Sequence, residues 1–396
     1  MGLTNTPQSN RLHIGVFGRR NSGKSSLVNA LTGQHTALVS DVAGTTTDPV
    51  YKAMELNGIG PVLFVDTAGF DDEGELGAMR VEKTRAALKK CDIALTLLSG
   101  HEDPLEKEWL TAIRSGGCAV IAMVNKADVS DDISERLAFI HEAYGLEAIP
   151  VSAKLGQGMD KVREAIIRAI PEDYDSRDIT GGLCGPGDVV LLVMPQDIQA
   201  PKGRLILPQV QTLRELLDKG CLAFCVTTDR LAEALGRISA PPKLIITDSQ
   251  AFAQVHALKP EGTLLTSFSV LFAAHKGDID AFVKGAEAID RLTEDSKVLI
   301  AEACTHAPLT EDIGREKIPR MLRKRVGQGL AVDHVSGTDF PQDLSGYDLI
   351  IHCGACMFNR RYVLSRVAQA QLQGVPITNY GITIAKVTGI LDQIAY

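Results

Sequence analysis

The sequence predicts an α/β protein: a leading domain with a mainly parallel sheet, followed by two smaller α/β domains. Three observations carry this. From Leu12 to about Ile170, β-rich runs ("LHIGVF", "PVLFVD", "IALTLL", "AVIAMV", "AIPVS") alternate with helical patterns such as "KSSLVNALTG" and "GELGAMRVEKTRAALKK". That alternation folds into a parallel sheet with helices on both faces. The stretch "PEDYDSRDITGGLCGPGD" then breaks the pattern with Pro, Gly and acidic residues, as a linker does. Beyond it strands and helices resume in two sets, and 396 residues are too many for one ordinary core.

The boundaries read as 1–172 for the leading domain, 173–187 for the linker, 188–264 for the middle domain and 265–396 for the last. In the middle domain "VVLLVMP", "CLAFCVT" and "KLIIT" are strands, separated by the helices "QVQTLRELLDKG" and "DRLAEALGRI". The last domain holds helices through Leu292, the strands "KVLIAEA", "LAVDHVS" and "DLIIHCG", a basic helix after Pro319 and the helix "RRYVLSRVAQAQLQG". No internal repeat stands out.

Lys and Arg number 41 against 49 Asp and Glu, a net charge of -8, so nucleic acid is not the expected partner. No apolar run approaches the ~18 residues of a membrane span, and the polar start lacks a secretion signal. A soluble, cytoplasmic protein without a membrane partner is expected. "MGLTNT" meets the loose pattern for N-myristoylation, which so permissive a pattern does by chance. In a reducing cytosol the eight cysteines are thiols or metal ligands rather than disulfides.

"GRRNSGKSS", Gly18 to Ser26, follows a strand and opens a helix, as a phosphate-binding loop requires. Backbone N–H groups from Asn21, Ser22, Gly23, Lys24, Ser25 and Ser26 can face phosphate oxygens at the positive end of the helix. Lys24 should reach the β- and γ-phosphates, and Ser25 should bind Mg2+. "DTAG" ends the next apolar strand, where Asp66 can hold Mg2+ through water and the Gly69 N–H can sense the γ-phosphate. "NKAD" supplies Asn125, Lys126 and Asp128, whose carboxylate accepts guanine N1–H and N2–H. "SAK" adds Ser152, Ala153 and Lys154 to the base pocket. Four motifs in this order at strand ends specify a P-loop GTPase domain with GTP as its ligand.

"DVAGTTTDP" resembles the switch of the TrmE and Era class of GTPases. The resemblance implies that Thr46 binds Mg2+ and senses the γ-phosphate, with Thr47 in place of the usual Arg. Phe70 stands where Ras-like enzymes carry a water-orienting Gln. In the TrmE-like class K+ supplies the missing charge, held partly by a phosphate-loop Asn, here Asn21. GTP hydrolysis that is slow and stimulated by K+ follows as an expectation, with Lys24, Thr46, Asp66 and Gly69 as its residues.

Cys304 and His306 follow the strand "KVLIAEA"; His352, Cys353 and Cys356 follow "DLIIH". Both sets lie beyond the carboxyl ends of apolar strands, where α/β sheets place their sites. If those strands are neighbours, the three thiols converge. Soft thiolates with nearby imidazole suit zinc or an iron-sulfur cluster, and the chemistry alone leaves the two open. Cys353 to Cys356 is read as opening a helix, with Arg360 and Arg361 offsetting thiolate charge.

A Cys-x-His and a later His-Cys-x-x-Cys behind a TrmE/Era-like GTPase domain resemble the FeFe-hydrogenase maturation GTPases, the HydF family, over the full length. The resemblance implies a 4Fe-4S cluster on Cys304, Cys353 and Cys356 with an exchangeable fourth position, His306 and His352 being labile ligands or hydrogen-bonding neighbours. It implies a dimerisation domain at 188–264, a cluster domain at 265–396 and a homodimer or larger assembly. It also implies a scaffold that takes a transient diiron precursor from the radical-SAM maturases HydE and HydG and delivers it to FeFe-hydrogenase. Rival readings are an RNA-associated TrmE/Era-type GTPase and a GTPase with a structural zinc site.

Other residues read plainly. Cys221 and Cys225 lie ~13 Å apart on one strand face, too far to share an ion, and count as core with Cys91, Cys118 and Cys184. Trp109 is packing, and the basic run Arg315 to Arg325 is a solvated helix face.

Overall fold

The computed structural model describes residues 6–32, 50–56, 58–71, 74–171, 174, 178–196, 205–303 and 312–396. The chain divides into two compact units, Met1–Asp175 and Ser176–Tyr396.

The first unit is built on β1 (Leu12–Gly18), β2 (Val50–Leu56), β3 (Gly60–Asp66), β4 (Ile93–Leu97), β5 (Ala119–Val124) and β6 (Ile149–Pro150), in the order β2-β3-β1-β4-β5-β6. Every residue of β1 is buried, as a central strand covered on both faces demands. All pairings are parallel except that of β2, which runs antiparallel to β3. The sequence reading passed over β2 because "VYKAMEL" mixes charge with apolar residues, as a half-exposed edge strand does. Cys91, Cys118 and Trp109 are core residues, as read.

The second unit holds two four-stranded sheets. One contains β7 (Val189–Val193), β8 (Leu222–Val226), β9 (Leu244–Thr247) and β10 (Leu264–Ser267), ordered β10-β9-β7-β8. The other contains β11 (Lys297–Glu302), β12 (Ala331–Ser336), β13 (Leu349–His352) and β14 (Ile377–Asn379), ordered β12-β11-β13-β14. All pairings in both are parallel. The two sheets therefore share one topology, second-first-third-fourth, although their residues show no repeat. In such a sheet the winding reverses between the first and third strands, and ligands sit outside the carboxyl ends there.

β10 crosses the predicted boundary at 264/265, and the helix that follows, Phe268–Lys276, serves both cores. Its Phe268, Leu271 and Phe272 pack with β7 and β9, while Val270 and Ala273 pack with the core of the last sheet. Cys184 and Cys221 are buried, but Cys225 is exposed, because β8 is the edge strand of its sheet. Among the described residues no helix is long and apolar enough to cross a membrane.

Candidate functional sites

In the first unit the carboxyl ends of β1, β3 and β5 bring the nucleotide motifs together. Lys24 opens the helix Lys24–Thr32, and its Nζ donates to the carbonyls of Gly18 (3.1 Å) and Arg19 (2.8 Å). The lysine is thus held across its own loop. Ser25 Oγ donates to Asp66 Oδ2 at 2.7 Å, which joins the two residues read as Mg2+ ligands. Burial raises the Asp66 carboxyl above its ordinary range, opposed by the Ser25 hydroxyl and by Lys24.

Asn125 is the joint of the site. Its Nδ2 donates to the Ser22 carbonyl at 2.8 Å, and its Oδ1 accepts from Ala153 N–H at 3.1 Å. One side chain therefore fixes the phosphate loop against the base-binding loop. Gly23 (φ 96°) is required here, because a Cβ would stand 2.2 Å from Asn125 Nδ2. Asn21 and Lys126 also take left-handed backbone, φ 59° and 64°. Ser152 is buried with Oγ accepting from Leu155 N–H, while Lys126, Asp128 and Lys154 are exposed. Ser26 lies in the first turn of the helix Lys24–Thr32.

Gly69 approaches the phosphate loop so closely that a Cβ would meet Arg20 N at 2.6 Å. Two residues the sequence reading did not single out reinforce this contact. Asp71 accepts from Arg20 N–H at 2.7 Å, and Arg19 Nε donates to Asp103 at 2.5 Å. Neither shows a motif, since each contact depends on which loops the sheet brings side by side. Thr46 and Thr47 lie outside the described residues.

In the second unit β11 and β13 are hydrogen-bonded neighbours, with Ala301 opposite His352, and the winding of their sheet reverses between them. Cys353 N–H donates to Ala301 O at 3.0 Å. Its Sγ accepts from Ala303 N–H (3.0 Å) and Ala355 N–H (3.4 Å). Ala355 takes φ 52°, turning the Cys-Gly-Ala-Cys loop so that its N–H faces the sulfur. Two amide donors on one sulfur are the surroundings a metal-bound thiolate uses, so this residue fits the group the resemblance implies. Burial pushes the Cys353 thiol up to about 11, against the opposing pull of its two amide donors and of Arg366. Cys304 and His306 lie outside the described residues, and among the described residues no group of three His, Cys, Asp or Glu is arranged to hold a metal ion.

His352 is fully committed. Its Nδ1 donates to Cys353 O at 2.8 Å and its Nε2 accepts from Arg366 at 3.0 Å, which requires the neutral ring. Burial and the Arg366 charge hold its pKa down at about 3. The helix after the cysteines begins at Arg360, with Asn359 as its N-cap, and not at Cys353. Arg360 donates to the carbonyls of His275 (3.1 Å) and Gly277 (2.8 Å), closing the end of another helix. Lys276 and Arg366, which no sequence spacing singled out, are cations placed against the cysteine loop. Lys276 Nζ donates to the carbonyls of Cys356 (3.2 Å) and Phe358 (2.9 Å).

Family models match in three places: the 50S ribosome-binding GTPase over residues 13–126, the hydrogen maturase F dimerization domain over 179–277 and the hydrogen maturase F tetramerization domain over 280–395. The two maturase models together span more than half of the chain. GTPase Der of Wolinella succinogenes is 35% identical over 179 residues, 42% of this chain and 37% of that protein. The tRNA modification GTPase MnmE of Heliobacterium modesticaldum is 35% identical over 159 residues, 40% of this chain and 34% of that protein. The chain thus spans less than half the length of the curated relatives it matches. Era of Aquifex aeolicus, solved with GDP and AlF4-, overlaps 57% of this chain and 98% of its own at 21% identity and a TM-score of 0.37.

Proposed function

The chain belongs to the hydrogen maturase F family and carries a GTPase domain followed by dimerization and tetramerization domains; on that premise we propose that it is a GTP-hydrolysing scaffold that binds a 4Fe-4S cluster and delivers the diiron subcluster to FeFe-hydrogenase. The observation that carries the cluster reading is the β11–β13 pairing. Ala303, covalently joined to Cys304, already touches Cys353 Sγ, so a ligand at 304 and the Cys353–Cys356 pair issue from adjacent strand ends. We take Cys304, Cys353 and Cys356 as the cluster ligands. When bound, the cluster supplies an iron with an exchangeable coordination position. His352, with both ring nitrogens engaged, orients the Cys353 carbonyl, and we assign it no bond to iron.

In the GTPase domain Lys24 holds the β- and γ-phosphates, Ser25, Thr46 and Asp66 hold Mg2+, and Asp128 with Asn125, Lys126, Ser152, Ala153 and Lys154 recognises guanine. Gly69 senses the γ-phosphate, and Asn21 takes part in holding K+. The assembled oligomer exchanges cargo with HydE, HydG and the hydrogenase in the cytoplasm, and GTP turnover governs that exchange.

The test is anaerobic reconstitution of the full chain with iron and sulfide, followed by incubation with precursor and an immature FeFe-hydrogenase. The wild-type chain should bind iron and activate the hydrogenase; Cys304→Ala, Cys353→Ala and Cys356→Ala should each fail. Full activation by the triple variant, or zinc as the metal retained by anaerobically purified protein, sinks this reading.

A further inference from the structure

We infer that Lys276 and Arg366 are a built-in pair of counter-cations for the cluster held at Cys353 and Cys356, and that their charge sets how readily that cluster accepts an electron. This deepens the cluster reading and rests on it.

Each side chain is only 2% exposed. A buried cation is costly unless an anion faces it, yet among the described residues neither forms an ion pair with a carboxylate, Asp339 acting on Arg366 only from beyond ion-pair distance. Lys276 donates to two backbone carbonyls of the cysteine loop. Arg366 donates to His352 and to the Gly337 carbonyl, while among the described residues its Nε has no hydrogen-bond partner. The rings of Phe340, Phe358 and Tyr362 enclose the guanidinium at 4.8, 4.7 and 4.8 Å. Those rings, and for Lys276 its place at the end of the helix Phe268–Lys276, offset part of the burial cost.

Neutral donors would serve the same carbonyls, so bracing the loop does not explain two charges. An anionic occupant does. The cations arrive from separate helices, Phe268–Lys276 and Arg360–Leu372, and converge on the segment from His352 to Phe358. Three thiolates around a 4Fe-4S core leave the whole anionic, and one-electron reduction adds a further negative charge. Fixed cations beside it favour the reduced form.

The experiment uses the full chain, reconstituted anaerobically with iron and sulfide, as wild type and as Lys276→Gln, Lys276→Arg, Arg366→Gln and Arg366→Lys. Iron content and an EPR-monitored redox titration are read for each, with circular dichroism to check folding. Each Gln variant, which keeps a donor and loses the charge, should retain iron and reduce less readily by about tenfold, a fall of 59 mV for a one-electron couple. The charge-conserving variants should stay near wild type. Gln variants loaded normally and reduced at the wild-type potential overturn this inference alone, as does loss of iron in the charge-conserving variants as well. A wild-type chain that takes up no iron overturns the cluster reading itself, and this inference with it. Should one position not tolerate Gln, the other decides, because the two stand on different helices.

Discussion

The ring of Phe70 lies face to face on that of Trp109, with centroids 4.5 Å apart and planes 13° from parallel. Phe70 is thus turned into the core, 3% exposed, while its N–H donates to the Gly18 carbonyl of the phosphate loop at 3.3 Å. Trp109 is the only tryptophan, and the Arg85 guanidinium covers its ring at 4.7 Å. Its fluorescence should therefore change when GTP and Mg2+ bind. Phe70→Ala should cost about 3–5 kcal/mol of domain stability in a urea titration and abolish that response. A full nucleotide response in the variant refutes the coupling.

Asn125 gives a second prediction. Asn125→Ala leaves the Ser22 carbonyl and the Ala153 N–H without their shared partner. Losing hydrogen bonds at buried groups costs about 1–3 kcal/mol, so guanine nucleotide should bind about 10- to 100-fold more weakly by calorimetry. The preference for GTP over ATP should persist, since Asp128 is untouched. Unchanged affinity would mean that the two loops are held together by other contacts.

The potassium reading of Asn21 competes with a backbone one, because φ 59° is itself a reason for Asn at that place. Asn21→Gly separates them. Gly adopts this conformation without strain, so the loop keeps its shape and only the side chain is lost. GTP turnover should be faster in KCl than in NaCl for the wild type and equal in both salts for the variant. Retained potassium stimulation in Asn21→Gly assigns Asn21 to the backbone alone.

Local signals explain how much of this was readable in advance. Gly23, Lys24, Asp66 and Asn125 belong to motifs whose chemistry depends on a strand end and a few following residues, so spacing suffices to find them. Cys353 and Cys356 are legible in the same way. Lys276 and Arg366 are not: one ends an apolar helix and the other lies in the interior of a helix, where Lys and Arg ordinarily face water. Arg360, beside the cysteines in sequence, is the natural choice for the balancing charge, and its Nη1 closes the end of another helix. Short strands were missed for a related reason. β10 and β14 run directly into the helices that begin at Phe268 and Tyr380, so their few residues merge with a helical pattern, whereas β9 and β13, equally short, stand apart as apolar runs.

The edge of the middle sheet carries the last prediction. β8 pairs only with β7 among the described residues, and on it Leu222 is 55% and Phe224 45% exposed. An exposed apolar edge strand offers unpaired backbone groups to another chain, and this one lies within the matched dimerization domain. A second copy docking there would bury both side chains. Phe224→Asp should therefore shift the chain to a smaller assembly by light scattering, with its circular dichroism unchanged, because the ring contributes little to its own core. Tyr51→Asp, on the exposed edge strand of the GTPase domain, is the control and should leave the mass as it is. An unchanged mass for Phe224→Asp would place the seam away from β8; a fall in mass for both variants would show a general effect of surface charge.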